Sequence, residues 1–245
     1  MPDRRVHRGP HPEDEQLFAP RCWTRLGRAI DDLSWLLSRG YAPDSSLKLV
    51  GDRHGLVSRQ RVAVQRCSCS DEARIRRAST ERSSTSVEGR PLWLDGYNVL
   101  TTVEAALAGG VILPARDRCL RDMASMHGSY RRVDETRPAL EIIGRVLADL
   151  GISDGVWYLD RPVSNSGHLR RVVEEVAAAR GWSWRVLLVP DPDKVLSGTD
   201  EIVATADSAI LDRCRFWFNL AREVVGRSVP AANVLDLQSP DCRQD

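Results

Sequence analysis

The chain has 245 residues, 28% charged and 42% hydrophobic, which suits one large domain or two modest ones. Its net charge is +1, so the field of the whole molecule singles out no partner. No run reaches the roughly 18 apolar residues of a membrane span, and the polar first twenty residues lack a signal peptide's apolar stretch, so a cytoplasmic protein with no membrane partner is expected. Six cysteines without a CxxC pair fit a reduced compartment. Lys48 and Lys194 are the only lysines. A GC-rich genome produces that bias, and so does selection of arginine forks for phosphate.

In chain order, residues 1–20 mix Pro, Arg, His and acids without a period and read as a disordered tail. From Arg21 the pattern turns helical. Trp23, Leu26, Ile30, Leu33, Leu36 and Leu37 recur every three or four residues, and Gly40 closes the run. Pro43-Asp44-Ser45, Ser58 and Ser70-Asp71-Glu72 open further short helices. Together they predict a small all-α module over 21–78. Residues 79–90, apolar only at Val87, form the expected linker.

Beyond the linker, strand-like and helix-like segments alternate. Strands are predicted near 91–95, 155–160, 184–189, 201–205 and 233–237, and helices near 99–108, 115–126, 135–150, 167–180 and 208–225. This alternation predicts an α/β domain over 91–238 with a Rossmann-like, mostly parallel sheet covered by helices on both faces. Residues 239–245 are a second tail.

Four of these strands run into an aspartate: Asp95, Asp160, Asp191 and Asp207. The carboxyl ends of parallel strands form the ligand crevice of such a sheet. Carboxylates gathered there repel unless a proton or cation intervenes. The pattern therefore points to a divalent metal and to phosphate chemistry. Asp95-Gly96-Tyr97-Asn98 offers a ligand and an orienting amide, or only an Asx-turn. Asp207 is a ligand or a helix cap, and Asp212 can join it only by leaning back. Ser164, Asn165 and Ser166 precede a helix whose amino end suits phosphate. Asp191-Pro192-Asp193 is ordinary turn chemistry with a weaker claim. Arg116 and Arg121 can clamp phosphate or form pairs along a solvated helix face. His127 can carry a proton.

Asp95-Gly96-Tyr97-Asn98-Val99-Leu100, with Val203-Ala204-Thr205-Ala206-Asp207, resembles the NYN branch of the PIN-like nuclease superfamily. Longer strings make the chain, from about residue 21 to 237, similar to the prokaryotic family of domain of unknown function 434. They include Trp35-Leu36-Leu37-Ser38-Arg39-Gly40-Tyr41, Leu159-Asp160-Arg161-Pro162-Val163-Ser164-Asn165-Ser166-Gly167 and the ATADSAILDR run. The superfamily resemblance implies a compact sheet and an acid cluster holding Mg²⁺ or Mn²⁺. Asp95 and Asp207 match its motif best, Asn98 lies beside them, and Asp160 matches by its strand end. For the superfamily's helix-borne acid, Glu104, Asp117, Asp122 and Glu135 all stay open.

The expected function is metal-dependent phosphodiester hydrolysis, with RNA or another phosphate-bearing ligand as partner. Asp95, Asp160 and Asp207 are the expected catalytic residues and, with Asp212, the metal ligands. Asn98, Ser164, Asn165, Arg116 and Arg121 are expected to hold substrate. Arginines 53, 59, 61, 66, 74, 76 and 77 of the helical module are expected to grip the nucleic-acid backbone. The alternative is a non-catalytic RNA- or nucleotide-binding module with a degenerate metal site. Assembly into a homo-oligomer stays open.

Overall fold

The computed structural model describes residues 7–124 and 130–237. His127 and the tail at 239–245 lie outside the described residues. The helical module comprises α1 (Asp14–Leu17), α2 (Pro20–Ser38), α3 (Pro43–Arg53), α4 (Ser58–Cys67) and α5 (Asp71–Thr80). Its elements start where local chemistry favours a start. Pro20 and Pro43 occupy first-turn positions, where a missing N–H costs nothing. The Ser70 hydroxyl accepts the Ala73 amide at 3.1 Å and caps α5. Leu26, Ile30 and Leu33 of α2 are buried against Val50, Ala63 and Val64.

After α6 (Ser84–Val87), the chain runs β1 (Pro91–Asp95), α7 (Gly96–Leu107), β2 (Ile112–Pro114), β3 (Leu120–Asp122) and α8 (Thr136–Asp149). It continues through β4 (Asp154–Asp160), α9 (Ser166–Arg180), β5 (Trp184–Val189), α10 (Pro192–Ser197) and β6 (Ile202–Ala204). It closes with α11 (Ser208–Leu211), β7 (Phe216–Phe218) and α12 (Leu220–Ser228). Five strands form one sheet in the order β5-β4-β1-β6-β7, and each neighbouring pair is parallel.

Both faces of the sheet are covered, as a parallel sheet requires. On one face Leu92, Leu94, Trp157 and Leu159 pack with Leu140 and Ile143 of α8 and Val172 and Val173 of α9. On the other, Val156, Tyr158, Val203 and Trp217 pack with Leu196 of α10 and Ile210 of α11. The order reverses between β1 and β6: the chain leaves β1 toward β4 and β5, then returns to β6 on the other side. In doubly wound sheets the ligand crevice opens at this reversal.

Several elements differ from the sequence reading. The helix expected at 115–126 is the antiparallel β2–β3 hairpin. Its turn closes through the Ala115 amide on the Cys119 carbonyl and holds Arg118 at a φ of 68°. The expected helix at 208–225 is interrupted by β7, because Phe216-Trp217-Phe218 suits a sheet position better than a helix face. The expected strand at 233–237 is reduced to a single bridge between Val234 and Ile112.

The segment read as a linker is packed: Val87 is fully buried, and the Arg82 amide donates to the Trp217 carbonyl at 2.7 Å. Glu81 pairs with Trp217, so this segment covers the β7 edge that would otherwise offer unpaired backbone. Within the region read as a tail, Asp14 and Phe18 are each 3% exposed, and Asp14 pairs with Arg59 of α4.

Candidate functional site

β1, β4, β5 and β6 deliver carboxylates to the same end of the sheet. Asp95 ends β1, Asp160 ends β4, Asp191 and Asp193 follow β5, and Asp207 follows β6. The close approach of α7 to β4 makes the tight turn after Asp95 possible. A side chain at position 96 would meet the Tyr158 carbonyl oxygen at 2.9 Å and the Leu159 methyl at 2.6 Å, so Gly96 alone fits without displacement.

The β1 and β6 ends are laced together at the reversal. The Thr205 hydroxyl donates to Asp95 Oδ2 at 2.8 Å. The Ala206 amide donates to Asn98 Oδ1 at 2.7 Å. The Asp207 amide donates to the Thr205 hydroxyl at 3.0 Å. Asp207 also caps α11, its Oδ1 accepting from the Ala209 and Ile210 amides at 2.7 and 3.2 Å.

The electrostatics follow from this crowding. Burial pushes the Asp95 carboxyl up to about 7; Thr205 opposes the shift, and the charges on Asp207 and Asp193 add to it. Burial also raises Asp160, reinforced by Asp193 and Asp191. It raises Asp193 too, reinforced by Asp207 and Asp191 and opposed by Arg213. These carboxylates therefore sense one another across the crevice. Asp193 belongs to the group more closely than its proline-flanked turn suggested. The available signal was the position of β5 beside β4, which sequence periodicity does not reveal.

Other expected site residues have different partners. Asp212 is not in the crevice group: it accepts from Arg76 and Arg77, each at 2.8 Å. Burial works against its ionisation, but these hydrogen bonds outweigh burial and pull it below the usual carboxylate value. Arg116 donates to the Cys69 carbonyl and Asp71 at 2.8 and 2.9 Å. Arg121 makes a bidentate pair with Asp117 at 2.9 and 2.7 Å. Both forks are engaged by acceptors of the protein itself.

The Ser164 carbonyl accepts the Tyr130 amide at 3.1 Å, and the Asn165 side-chain amide donates to the Tyr130 carbonyl at 3.0 Å. This loop therefore pins the chain before α8. The four candidates for a helix-borne acid are also engaged. Glu104, fully buried, accepts from Tyr130, Thr136 and Arg8. Asp117 pairs with Arg77 and Arg121, Asp122 accepts from Thr102 and the Ala124 amide, and Glu135 meets His7.

Most of the module's arginines are likewise paired internally, Arg59 with Asp14, Arg61 with Asp52 and Arg66 with Asp122. Arg161 and Arg213, exposed near Asp160 and Asp207 in sequence, are better placed to meet an anion at the rim.

Among the described residues, no three His, Cys, Asp or Glu side chains converge closely enough to cage a metal ion. Oxygen donors without imidazole or thiolate do match the chemistry of Mg²⁺ or Mn²⁺. Mg²⁺ commonly keeps several waters and takes only one or two carboxylates plus substrate phosphate. Asp95 and Asp207, at the ends of neighbouring strands on either side of the reversal, supply oxygen donors of that kind and do not form a closed cage.

Fold and crevice define a doubly wound α/β protein with an acidic switch point and an amino-terminal helical module. The chain belongs to the family described as "Domain of unknown function (DUF5616)", matched over residues 84–223, and residues 25–79 match "Protein of unknown function (DUF434)". It is similar to the uncharacterized protein MJ0935 of Methanocaldococcus jannaschii, 30% identical over 203 residues, covering 82% of this chain and 96% of that protein. No solved structure matches. Among the described residues no helix is long and apolar enough to cross a membrane.

Proposed function

We propose that the crevice is a divalent-cation site for phosphodiester hydrolysis, with RNA as the substrate class. One observation carries this reading: four neighbouring parallel strands bring carboxylates to the same end of the sheet, and burial with mutual repulsion makes Asp95, Asp160 and Asp193 hold protons more tightly than usual. Asp95 and Asp207 would hold Mg²⁺ or Mn²⁺, which when bound polarises a phosphoryl oxygen and eases deprotonation of water. Asp160, with its raised proton affinity, suits the general base that takes the proton from the attacking water. With Asn98 Oδ1 accepting from the Ala206 amide, the amide nitrogen of the same side chain would donate to the substrate. Arg161 and Arg213 supply positive charge at the rim.

Purified protein with Mn²⁺ and labelled RNA tests the assignment. Cleavage is expected, and Asp95→Asn should lower it by roughly 100-fold or more, the scale of losing one preorganised electrostatic contact at a transition state. Undiminished cleavage by Asp95→Asn refutes the assignment.

A second reading is a binding module without catalysis. It is favoured by the Asp207 oxygen already occupied in capping α11. Salt-sensitive RNA binding with no cleavage by the wild type under any divalent cation would select it.

A further inference from the structure

We infer that the amino-terminal helical module is a positioning element for the crevice, acting through Arg77 of α5. Arg77 is 3% exposed and leaves the module to enter the α/β domain. There it donates to Asp117 at 2.5 Å, Asp212 at 2.8 Å and the Ser208 carbonyl at 3.4 Å. Its own carbonyl accepts the indole N–H of Trp217, the buried centre of β7, at 2.7 Å. Asp117 in turn aligns Arg121, which donates to the Ala206 carbonyl at 3.0 Å and reaches the Ser208 hydroxyl at 3.4 Å.

Asp207 lies between these two anchored residues. The Ala206 residue is held from both sides: its amide by Asn98 in the crevice, its carbonyl by Arg121. The guanidinium fork explains the choice of residue, because one planar group satisfies three acceptors in fixed directions and an ammonium does not. Arg77 lies in the 25–79 match, and Asp117, Ser208 and Asp212 lie in the 84–223 match. The link therefore joins the two matched segments at the wall of the crevice. Arg77 and Arg121 are positioning residues that do not touch the ligand.

The consequence for cation binding rests on the functional reading above; the positioning itself does not. Amide hydrogen exchange and Mn²⁺ titration of Arg77→Lys test it, with Arg59→Lys as the control. Arg59 closes a different buried link, to Asp14, inside the module. In Arg77→Lys, exchange protection of the amides at 209–214 should fall at least tenfold, and Mn²⁺ affinity should weaken at least tenfold. Arg59→Lys should change neither. Asp212→Asn, a milder break in the same link, should shift both in the same direction and serves if Arg77→Lys does not fold. Unchanged exchange at 209–214 in Arg77→Lys and Asp212→Asn, or equal loss in Arg59→Lys, overturns the inference. Loss of protection in a protein whose wild type binds no Mn²⁺ upholds the positioning and defeats the cation reading.

Discussion

Asp117→Asn is expected to destabilise the protein by about 3–5 kcal/mol, the range for breaking a buried ion pair on one side. Asp117 is 5% exposed and is the counter-charge to two guanidinium groups, Arg77 and Arg121. Burial opposes its ionisation, but Arg121 and Arg77 outweigh burial and pull it down to about 2. An acid held below its ordinary 3.8 contributes stability that is complete above that value and is lost as pH falls toward 2. The amide keeps the shape and removes the charge, leaving two arginines facing each other. Asp52→Asn, in the exposed pairs with Lys48 and Arg61, should cost far less, because water and salt screen pairs at the surface. Denaturant unfolding of both variants at pH 7 separates the cases. A loss below about 1 kcal/mol at Asp117 would show that the link between module and sheet does not depend on charge.

Asp95→Asn is expected to stabilise the protein at pH 8. The Asp95 carboxyl sits at about 7 in the fold against an ordinary 3.8. Between these values the native state binds the extra proton, so stability falls as pH rises from about 4 to about 7 and is level above that. At 1.36 kcal/mol per unit, the ceiling on this penalty is about 4 kcal/mol, lowered by water reaching the partly open side of the residue. Asparagine removes the charge and keeps an oxygen for Thr205 to donate to. The gain should raise Tm by roughly 2–4 °C per kcal/mol at pH 8 for a chain of this size. It should fade toward pH 5, where wild-type Asp95 is protonated. A variant less stable than wild type at pH 8 would contradict the account of a strained, charge-crowded crevice. Stability given up at one place is a common mark of a functional site.

Much of the sheet was legible in the sequence. Strand-length apolar runs ending in Asp95 and Asp160, each with helix-like sequence behind, specified parallel strands and their carboxyl ends. The failures share a cause. Arg116, Asp117, Arg118, Arg121 and Asp122 have helical spacing and read as a solvated face, whereas Arg77, 40 residues earlier, makes Asp117 a buried partner. Periodicity reports only local neighbours, so a tertiary ion pair that overrides it leaves no local trace. β7 was hidden for a related reason. Three residues are too few to show a period of two, and its pairing partner Val203 lies outside any local window. The crevice was partly legible: the strand ends placed Asp95, Asp160 and Asp207 at one end of the sheet, whereas Asp193, given a weaker claim within its proline turn, joined them once β5 was seen to lie beside β4.

Calorimetric titration of Mn²⁺ into the wild type and Asp95→Asn, at pH 6 and pH 8, tests the central claim most directly. The account predicts saturable binding to the wild type, tighter at pH 8 than at pH 6 because a proton competes for Asp95, and severe weakening in Asp95→Asn at both. No binding at pH 8, or equal binding by the two proteins, would contradict it.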